Sequence, residues 1–303
     1  MISFKSNGKL LLTGEYLVLD GAVALALPTK MGQIMTVEPI EDEVILWKST
    51  RHDGSVWFER KISFDQIRSK DSIDQSDNVF HLLSALREIH ILNPLHFDQN
   101  GFQIHAHLEF PNDWGLGSSS TLINNLAKWA GVDAFNLNDL VFGGSGYDIA
   151  CANSEKPLLF QRLNGLPLIT QVAFRPKFHD NLWFVHLNKK QNSREAIKLY
   201  KNNPPIDAQV ISEINDISEL LCNCDSLDHF SALLEQHEMI LSSVLKRPTI
   251  SELLFPDFKG TIKSLGAWGG DFILAVGTKD KIKTFFEPQG FKTIIACNDL
   301  IKV

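Results

Sequence analysis

What the chain lacks narrows its class before any motif is read. Cysteine is scarce: Cys151, Cys222, Cys224 and Cys297 are all there is in 303 residues. Four is too few for a disulfide scaffold in a chain of this length, so free thiols and a reducing compartment are expected. No apolar run approaches the ~20 residues that a membrane span requires. The opening stretch MISFKSNGKLLLTGEYLVLDG is broken repeatedly by Lys, Asn, Gly, Thr and Glu, and so lacks the apolar core of a signal peptide. A cytoplasmic protein with no membrane partner is the expectation. Basic charge is in deficit, with 29 Lys and Arg against 36 Asp and Glu. That balance argues against a nucleic-acid partner, which needs clustered cations, though a local anion pocket is allowed. The pattern G-x-x-x-x-G-K-[ST] is also missing, so the common phosphate-binding loop of nucleoside triphosphatases is excluded.

What is present is a globular chain. Hydrophobic residues make up 44% and charged residues 21% of the sequence, enough to bury a sizeable core. The length suits one large or two modest domains. In the first third, KLLLTGEYLVLD, AVALALP, GQIMTVEPI, EVILWKS and SVWFERKISF read as strands separated by Gly, Pro or charged turns. VFHLLSALREIHIL has helical spacing and is stopped by Asn93-Pro94; FQIHAHLEF returns to strand. TLINNLAKWAG reads as a helix ended by Gly131. Beyond Gly165 come the strands LPLITQVAF and NLWFVHLN, helices through the region from Ile206 to Leu245, a glycine-rich KGTIKSLGAWGGDFILAVG, a helix at KIKTFFEPQG and a final strand in KTIIACNDLIKV. The mixture predicts an α+β, two-lobed architecture with domains 1–165 and 166–303.

Two small clusters invite a metal reading. Cys222 and Cys224, with His229 and His237 downstream, lack the spacing of common zinc sites, and ordinary helical residues are the better reading. His105 and His107 alternate on one face of a strand, where a plain sheet face competes with a metal pair.

The segment DWGLGSSST, residues 113–121, carries the most chemistry. The serine run opens a helix, where unpaired backbone N–H groups and the positive dipole end hold an anion without a basic side chain. Gly115 and Gly117 allow close backbone approach, and the hydroxyls of Ser118, Ser119 and Ser120 can bond phosphate oxygens or a magnesium ion. The competing reading is a serine N-cap after a slack turn, which requires one serine and no particular glycine.

Three further segments arbitrate: GKLLLTGEYLVLDGAVALALP (residues 8–28), GGSGYDIACA (143–152) and KSLGAWGGDFILAVG (263–277). With GLGSSS, they resemble the ordered motifs of the GHMP small-molecule kinases, and GYDIA at 146–150 is similar to the signature of the GYDIA branch. The resemblance spans nearly the whole chain but is specific only at these four places. It implies a ribosomal-protein-S5-like N-terminal lobe, a ferredoxin-like C-terminal lobe, ATP and Mg2+ as cofactors, and a small-molecule acceptor. Mevalonate and phosphomevalonate kinases resemble it most, with GEY and GGD leaning toward the latter.

By the same resemblance, the nucleotide phosphates fall to Gly115, Leu116, Gly117, Ser118, Ser119 and Ser120, with Ser119 also on the metal. Asp148 is the catalytic carboxylate and Lys9 its cationic partner, stabilising the attacking oxygen. Glu15, Tyr16, Ser145, Gly146, Tyr147, Ser193, Gly266, Gly269 and Gly270 are placed around the substrate, with Lys189, Lys190 and Arg194 candidates for its anionic groups. Several departures stand out. Asn7 replaces a proline, Thr121 an alanine and Trp268 a small residue, so that Trp268 either narrows the acceptor pocket or packs between lobes. The connection from GLGSSS to SGYD is short, and the upstream glutamate expected as a metal partner is missing: Leu137 stands near its place, with Asp139 the nearest carboxylate. Those departures keep a non-catalytic nucleotide-binding protein open as an alternative, along with a kinase for another small alcohol or sugar. Oligomeric state is left open by the sequence, a homodimer included.

Overall fold

The computed structural model describes residues 1–69, 71, 79–98, 100–190, 193–202 and 205–302, with the side chains of Ser193 and Arg194 outside the description. Two compact units emerge, and they interleave in sequence rather than dividing near residue 165. The first comprises Met1–Gly8, Met31–Asn112 and Leu116–Asn153; the second comprises Lys9–Lys30, Asp113–Gly115 and the chain from Ser154 onward.

Strands β1 (Ile2–Leu11) and β2 (Ala24–Ile40) pass through both units. The first unit adds β3 (Val44–Thr50), β4 (Val56–Ser63), α1 (Phe64–Arg68), α2 (Phe80–Leu92), β5 (Gly101–Leu108), α3 (Ser118–Ala130), α4 (Ala134–Val141) and α5 (Tyr147–Ala152). Its strands pair in the order β4-β3-β5-β2, antiparallel except for the parallel β3-β5 pair. Alternation decides the faces. Ile45 and Trp47 of β3, Ile104 and Ala106 of β5, and Met35 and Val37 of β2 are buried together with Leu86 and Ile89 of α2 and Ile123 and Leu126 of α3. His105 and His107 take the opposite face, where the Thr50 hydroxyl lies 2.9 Å from His105 Nε2 and 2.9 Å from His107 Nδ1. A threonine thus joins the two rings.

The second unit adds β6 (Leu158–Leu163), β7 (Leu166–Gln171), β8 (Leu182–His186), α6 (Ser193–Tyr200), α7 (Ala208–Cys222), α8 (Leu227–Leu245), α9 (Ile250–Leu254), β9 (Ile262–Ser264), β10 (Phe272–Val276), α10 (Lys279–Phe286), β11 (Ile294–Ala296) and α11 (Cys297–Leu300). The N-terminal half of β2 pairs with β6, and β6 with β7. A separate antiparallel sheet runs β11-β8-β10-β9. Asp207 and Ser226 cap α7 and α8 by accepting from Gln209 N and His229 N. The Cys222 and Cys224 thiols are buried, donating to Ser218 O and Ser226 O at 3.3 Å each.

The mixed α+β class read from the sequence is the one observed. Two segments depart from it. The predicted strand KLLLTGEYLVLD stops at Leu11, because Gly14 (φ 80°) and Tyr16 (φ 62°) turn the chain into a 3-10 helix, Leu17–Asp20. Its apolar run is buried all round, with Leu17 and Val18 at 0% and 3% exposure, a pattern that does not tell strand from buried helix. The predicted final strand shortens to β11 and is followed by α11. Conversely, the two expected strands AVALALP and GQIMTVEPI fuse into the single β2, through both Pro28 and Gly32. Gly32 is needed there: a Cβ would lie 1.9 Å from the Ser6 carbonyl oxygen, a backbone atom. Gly32→Ala is expected to cost about 1–3 kcal/mol, read as a lower urea midpoint with an unchanged m-value.

Candidate active site

The serine run opens α3 after two left-handed glycines, Gly115 (φ 65°) and Gly117 (φ 88°). The first helical bond is Thr121 N to Gly117 O, so the N–H groups of Ser118, Ser119 and Ser120 have no partner within the helix. No side chain caps this end. The serines are not equivalent. Ser120 is buried and donates its hydroxyl to Gly117 O at 2.9 Å, whereas Ser118 is half-buried and Ser119 exposed. Leu116 is fully buried and pins the loop. Among the described residues the Ser118 and Ser119 hydroxyls have no hydrogen-bond partner, and a helix N-terminus of this kind can hold an anion.

The entry to that loop is held in the second unit. His186 Nε2, in the tautomer that carries its proton there, donates to Asp113 O at 3.2 Å. Trp114 packs edge-on against Phe272 at 5.5 Å. A Cβ on Gly115 would come within 2.2 Å of the Asp271 carboxylate, and its φ of 65° is one that side chains rarely adopt, so glycine is favoured there. Asp271 itself adopts φ 54° and donates its N–H to Lys189 O at 2.8 Å.

Asp148 belongs to the first unit. Gly143, Gly144 and Gly146 all take positive φ, and α5 begins directly after Gly146. Ile149, buried in the core, anchors the helix, and α5 packs on α3. This leaves Asp148 half-buried near the head of α5, its Oδ1 accepting from Ile149 N at 3.1 Å; Ser145 is buried and Tyr147 half-buried. Leu137 on α4 is fully buried in the apolar core and Asp139 is exposed, so no carboxylate occupies the place of the missing glutamate. Lys9 lies half-buried on β1, in the second unit.

The remaining sequence-derived candidates also lie in the second unit. Gly266 (φ 71°) and Gly269 (φ 87°) shape the GAWGGD turn, with Gly270 between Gly269 and Asp271. Trp268 is buried within this unit beside Tyr16, Tyr200, Ile214 and Leu241. Its backbone N–H donates to Tyr16 Oη at 2.8 Å and its Nε1 to Pro248 O at 3.1 Å. The Tyr16 ring meets that of Tyr200 at 5.3 Å, and Tyr200 in turn donates its hydroxyl to Asp20. Lys189 and Lys190 are exposed; Ser193 begins α6, and its side chain and that of Arg194 lie outside the described residues.

Glu15 is where the structure adds most. Its carboxylate is 2% exposed rather than open to a pocket. Oε1 accepts from Lys263 Nζ at 2.7 Å, and the fully buried Lys263 also lies 3.2 Å from Glu238 Oε1 and donates to Ser264 O at 2.6 Å. Glu238 takes the Ser264 N–H at 3.0 Å. His237 Nε2 accepts from Gly14 N at 2.9 Å and lies 3.5 Å from Glu15 Oε2. Burial pushes the Glu15 carboxyl up to about 7 against the pull of Lys263. Burial, aided by Lys263, holds His237 well below its ordinary 6.5. For Lys263, burial opposes the charge, yet the two carboxylates outweigh it and raise its pKa. Sequence reasoning missed Lys263 and Glu238, and named His237 only in the metal reading with Cys222 and Cys224. Their partners lie far away along the chain, and nothing local marks them: His237 and Glu238 sit in the polar run EQHE, and Lys263 in TIKSLG.

These shifts have opposite signs for stability. Glu15 keeps a proton in the fold that the unfolded chain releases above 4.5, so its contribution is full below 4.5 and lost as pH rises through about 7. His237 refuses a proton that the unfolded chain takes up below 6.5, so its contribution is lost as pH falls through 6.5. Between those values the two slopes cancel. His237→Gln keeps an acceptor for Gly14 and removes one slope. Relative to the parent, its stability should rise as pH falls from about 7.5 to about 5, measured by urea unfolding.

No protein-family model and no curated protein matches the sequence. Solved structures do, over nearly the whole chain. A Methanococcus jannaschii mevalonate kinase superposes with a TM-score of 0.72 at 15% identity, covering 100% of this chain and 98% of its own. A Streptococcus pneumoniae phosphomevalonate kinase, in complex with phosphomevalonate and AMPPNP, gives 0.72 at 16%, covering 98% and 100%. A Lactococcus lactis galactokinase complexed with galactose gives 0.68 at 15%, covering 99% and 95%. The chain therefore has the fold of the GHMP kinase superfamily.

Proposed function

We propose that this chain is an ATP-dependent small-molecule kinase that phosphorylates phosphomevalonate or, as the runner-up, mevalonate. The observation that carries the reading is the uncapped N-terminus of α3, with three free N–H groups behind two left-handed glycines, next to a helix that carries a half-buried aspartate at its head. An anion cradle and a carboxylate on adjacent helices are what phosphoryl transfer requires: the nucleotide is held by its phosphates and the attacking oxygen is oriented. The kinases that share the fold support the same class of chemistry.

The roles proposed are those that the motif resemblance assigns. The backbone from Gly115 to Ser120 binds the phosphates. Asp148 accepts the proton of the attacking group, and Lys9 steadies developing negative charge. The residues that the resemblance assigns to the acceptor are Ser145, Gly146 and Tyr147 in the first unit and Gly266, Gly269, Gly270 and Ser193 in the second. Within the second unit, Tyr16 Oη accepts from Trp268 N and so ties the GEY turn to the glycine turn. Magnesium sites commonly include one or two carboxylates besides substrate phosphates and waters; here Leu137 stands where a glutamate is expected, so the ion would rest chiefly on the phosphates and on serine hydroxyls. Ser118 and Ser119 are the hydroxyls free for it, and bound there it would neutralise charge on the transferring group. GEY and GGD favour phosphomevalonate over mevalonate. Release of ADP from MgATP, assayed with mevalonate, phosphomevalonate, homoserine and galactose in turn, tests the assignment; ATP binding without turnover on any of the four would overturn it.

A further inference from the structure

We propose that Lys263, Glu238 and His237 are positioning residues that lock the GEY turn to the GAWGGD turn through Glu15, and that the lock closes when the cluster holds one proton. The reading of the site as a kinase underlies the kinetic part of this inference, not its structural part.

The two turns meet in the second unit at two places. One is Tyr16 Oη, which accepts from Trp268 N at 2.8 Å. The other is the Lys263 ammonium, which reaches back from β9 to Glu15 Oε1 at 2.7 Å while its own strand carries on into the glycine turn. α8 supplies both remaining members, Glu238 and His237. His237 Nε2 accepts from Gly14 N, so its proton sits on Nδ1. The charge count is then two carboxylates against one ammonium and a neutral imidazole: one negative charge in excess, in a region with exposures of 0–4%. A lone charge in such surroundings is costly, and a proton removes it.

Geometry names the atom. Glu15 Oε2 is buried and has no hydrogen-bond partner, whereas Oε1 is held by Lys263 and both Glu238 oxygens face Ser264. His237 Nε2 lies 3.5 Å from Oε2 but offers it no N–H, since its lone pair accepts from Gly14 N, so Oε2 is the carboxylate oxygen whose charge nothing in the cluster meets. The groups facing Glu15 are thus Lys263 from β9, Glu238 and His237 from α8, and the Tyr16 phenol from its own turn. The carboxyl pKa of about 7 agrees with that placement. Loss of the proton leaves an unpaired charge under Gly14 and Tyr16 and loosens the turn on which Trp268 N rests.

Glu15→Gln imitates the closed form, since its amide oxygen accepts from Lys263 and its NH2 replaces the O–H. Infrared difference spectra of the parent protein between about pH 6 and about pH 8.5 should show a buried carboxylic-acid band that titrates near neutrality and is absent from Glu15→Gln. Hydrogen exchange of residues 14–20 and 264–270 should quicken with pH, beyond the intrinsic rise, in the parent and not in the variant. With an accepted substrate, parental kcat should fall by about tenfold across that range, while that of Glu15→Gln changes by less than about twofold. No titrating band, or equal exchange responses in the two proteins, overturns the proposal whether or not any acceptor is phosphorylated. A proton lock without turnover leaves the inference standing and overturns only the kinase reading.

Discussion

Asp148→Asn is expected to lower turnover by about 10²- to 10⁴-fold while MgATP affinity changes by less than about threefold. The asymmetry comes from where the side chain sits. The N–H groups proposed to hold the nucleotide are those of Ser118, Ser119 and Ser120, backbone atoms that the substitution does not touch. Asp148 stands on a separate helix, α5, which is fixed to the core by Ile149 and not by the carboxylate itself. Asparagine preserves the side-chain oxygen that accepts from Ile149 N at 3.1 Å, so α5 keeps its first turn. What is lost is proton-accepting power. ADP release and calorimetric nucleotide binding on the same preparation check the pair of values. A variant that loses both equally would assign Asp148 to folding or to the nucleotide, not to the acceptor.

The second large effect is on stability. Lys263→Met strands Glu15 and Glu238, exposed at 2% and 3%, without their shared cation, and should cost about 3–5 kcal/mol. The unfolding midpoint in urea reads this directly. Combining Lys263→Met with Glu15→Gln and Glu238→Gln removes all three charges and should recover more than half of the loss, because exchanging a buried ionic group for neutral residues of similar volume is often close to neutral. If the triple variant were no better than Lys263→Met alone, packing of the lysine stem rather than charge would hold the turn.

The contrast between these two residues shows what a sequence exposes. The helix start behind the serine run was legible because its physics is local: two glycines of positive φ and the first turn of α3 lie within a few residues. Asp148 was singled out chiefly by the resemblance that SGYD carries; what the structure adds is its place near the head of α5, behind three glycines of positive φ. Lys263 was not legible, since its partner Glu15 is 248 positions away and nothing in TIKSLG marks one lysine as buried. The GEY segment was misread as strand because an apolar run buried on every side has no periodicity to separate strand from 3-10 helix. Ser120 shows the limit within a motif. Three adjacent serines look interchangeable, but the third turns its hydroxyl back to Gly117 O, leaving Ser118 and Ser119 for a ligand.

The most direct measurement is the 31P spectrum of the purified protein with MgATP and phosphomevalonate. The account predicts ADP and a new diphosphate ester growing together, with both lost in Asp148→Asn. An unchanged spectrum, or release of inorganic phosphate without a phosphorylated acceptor, would contradict it.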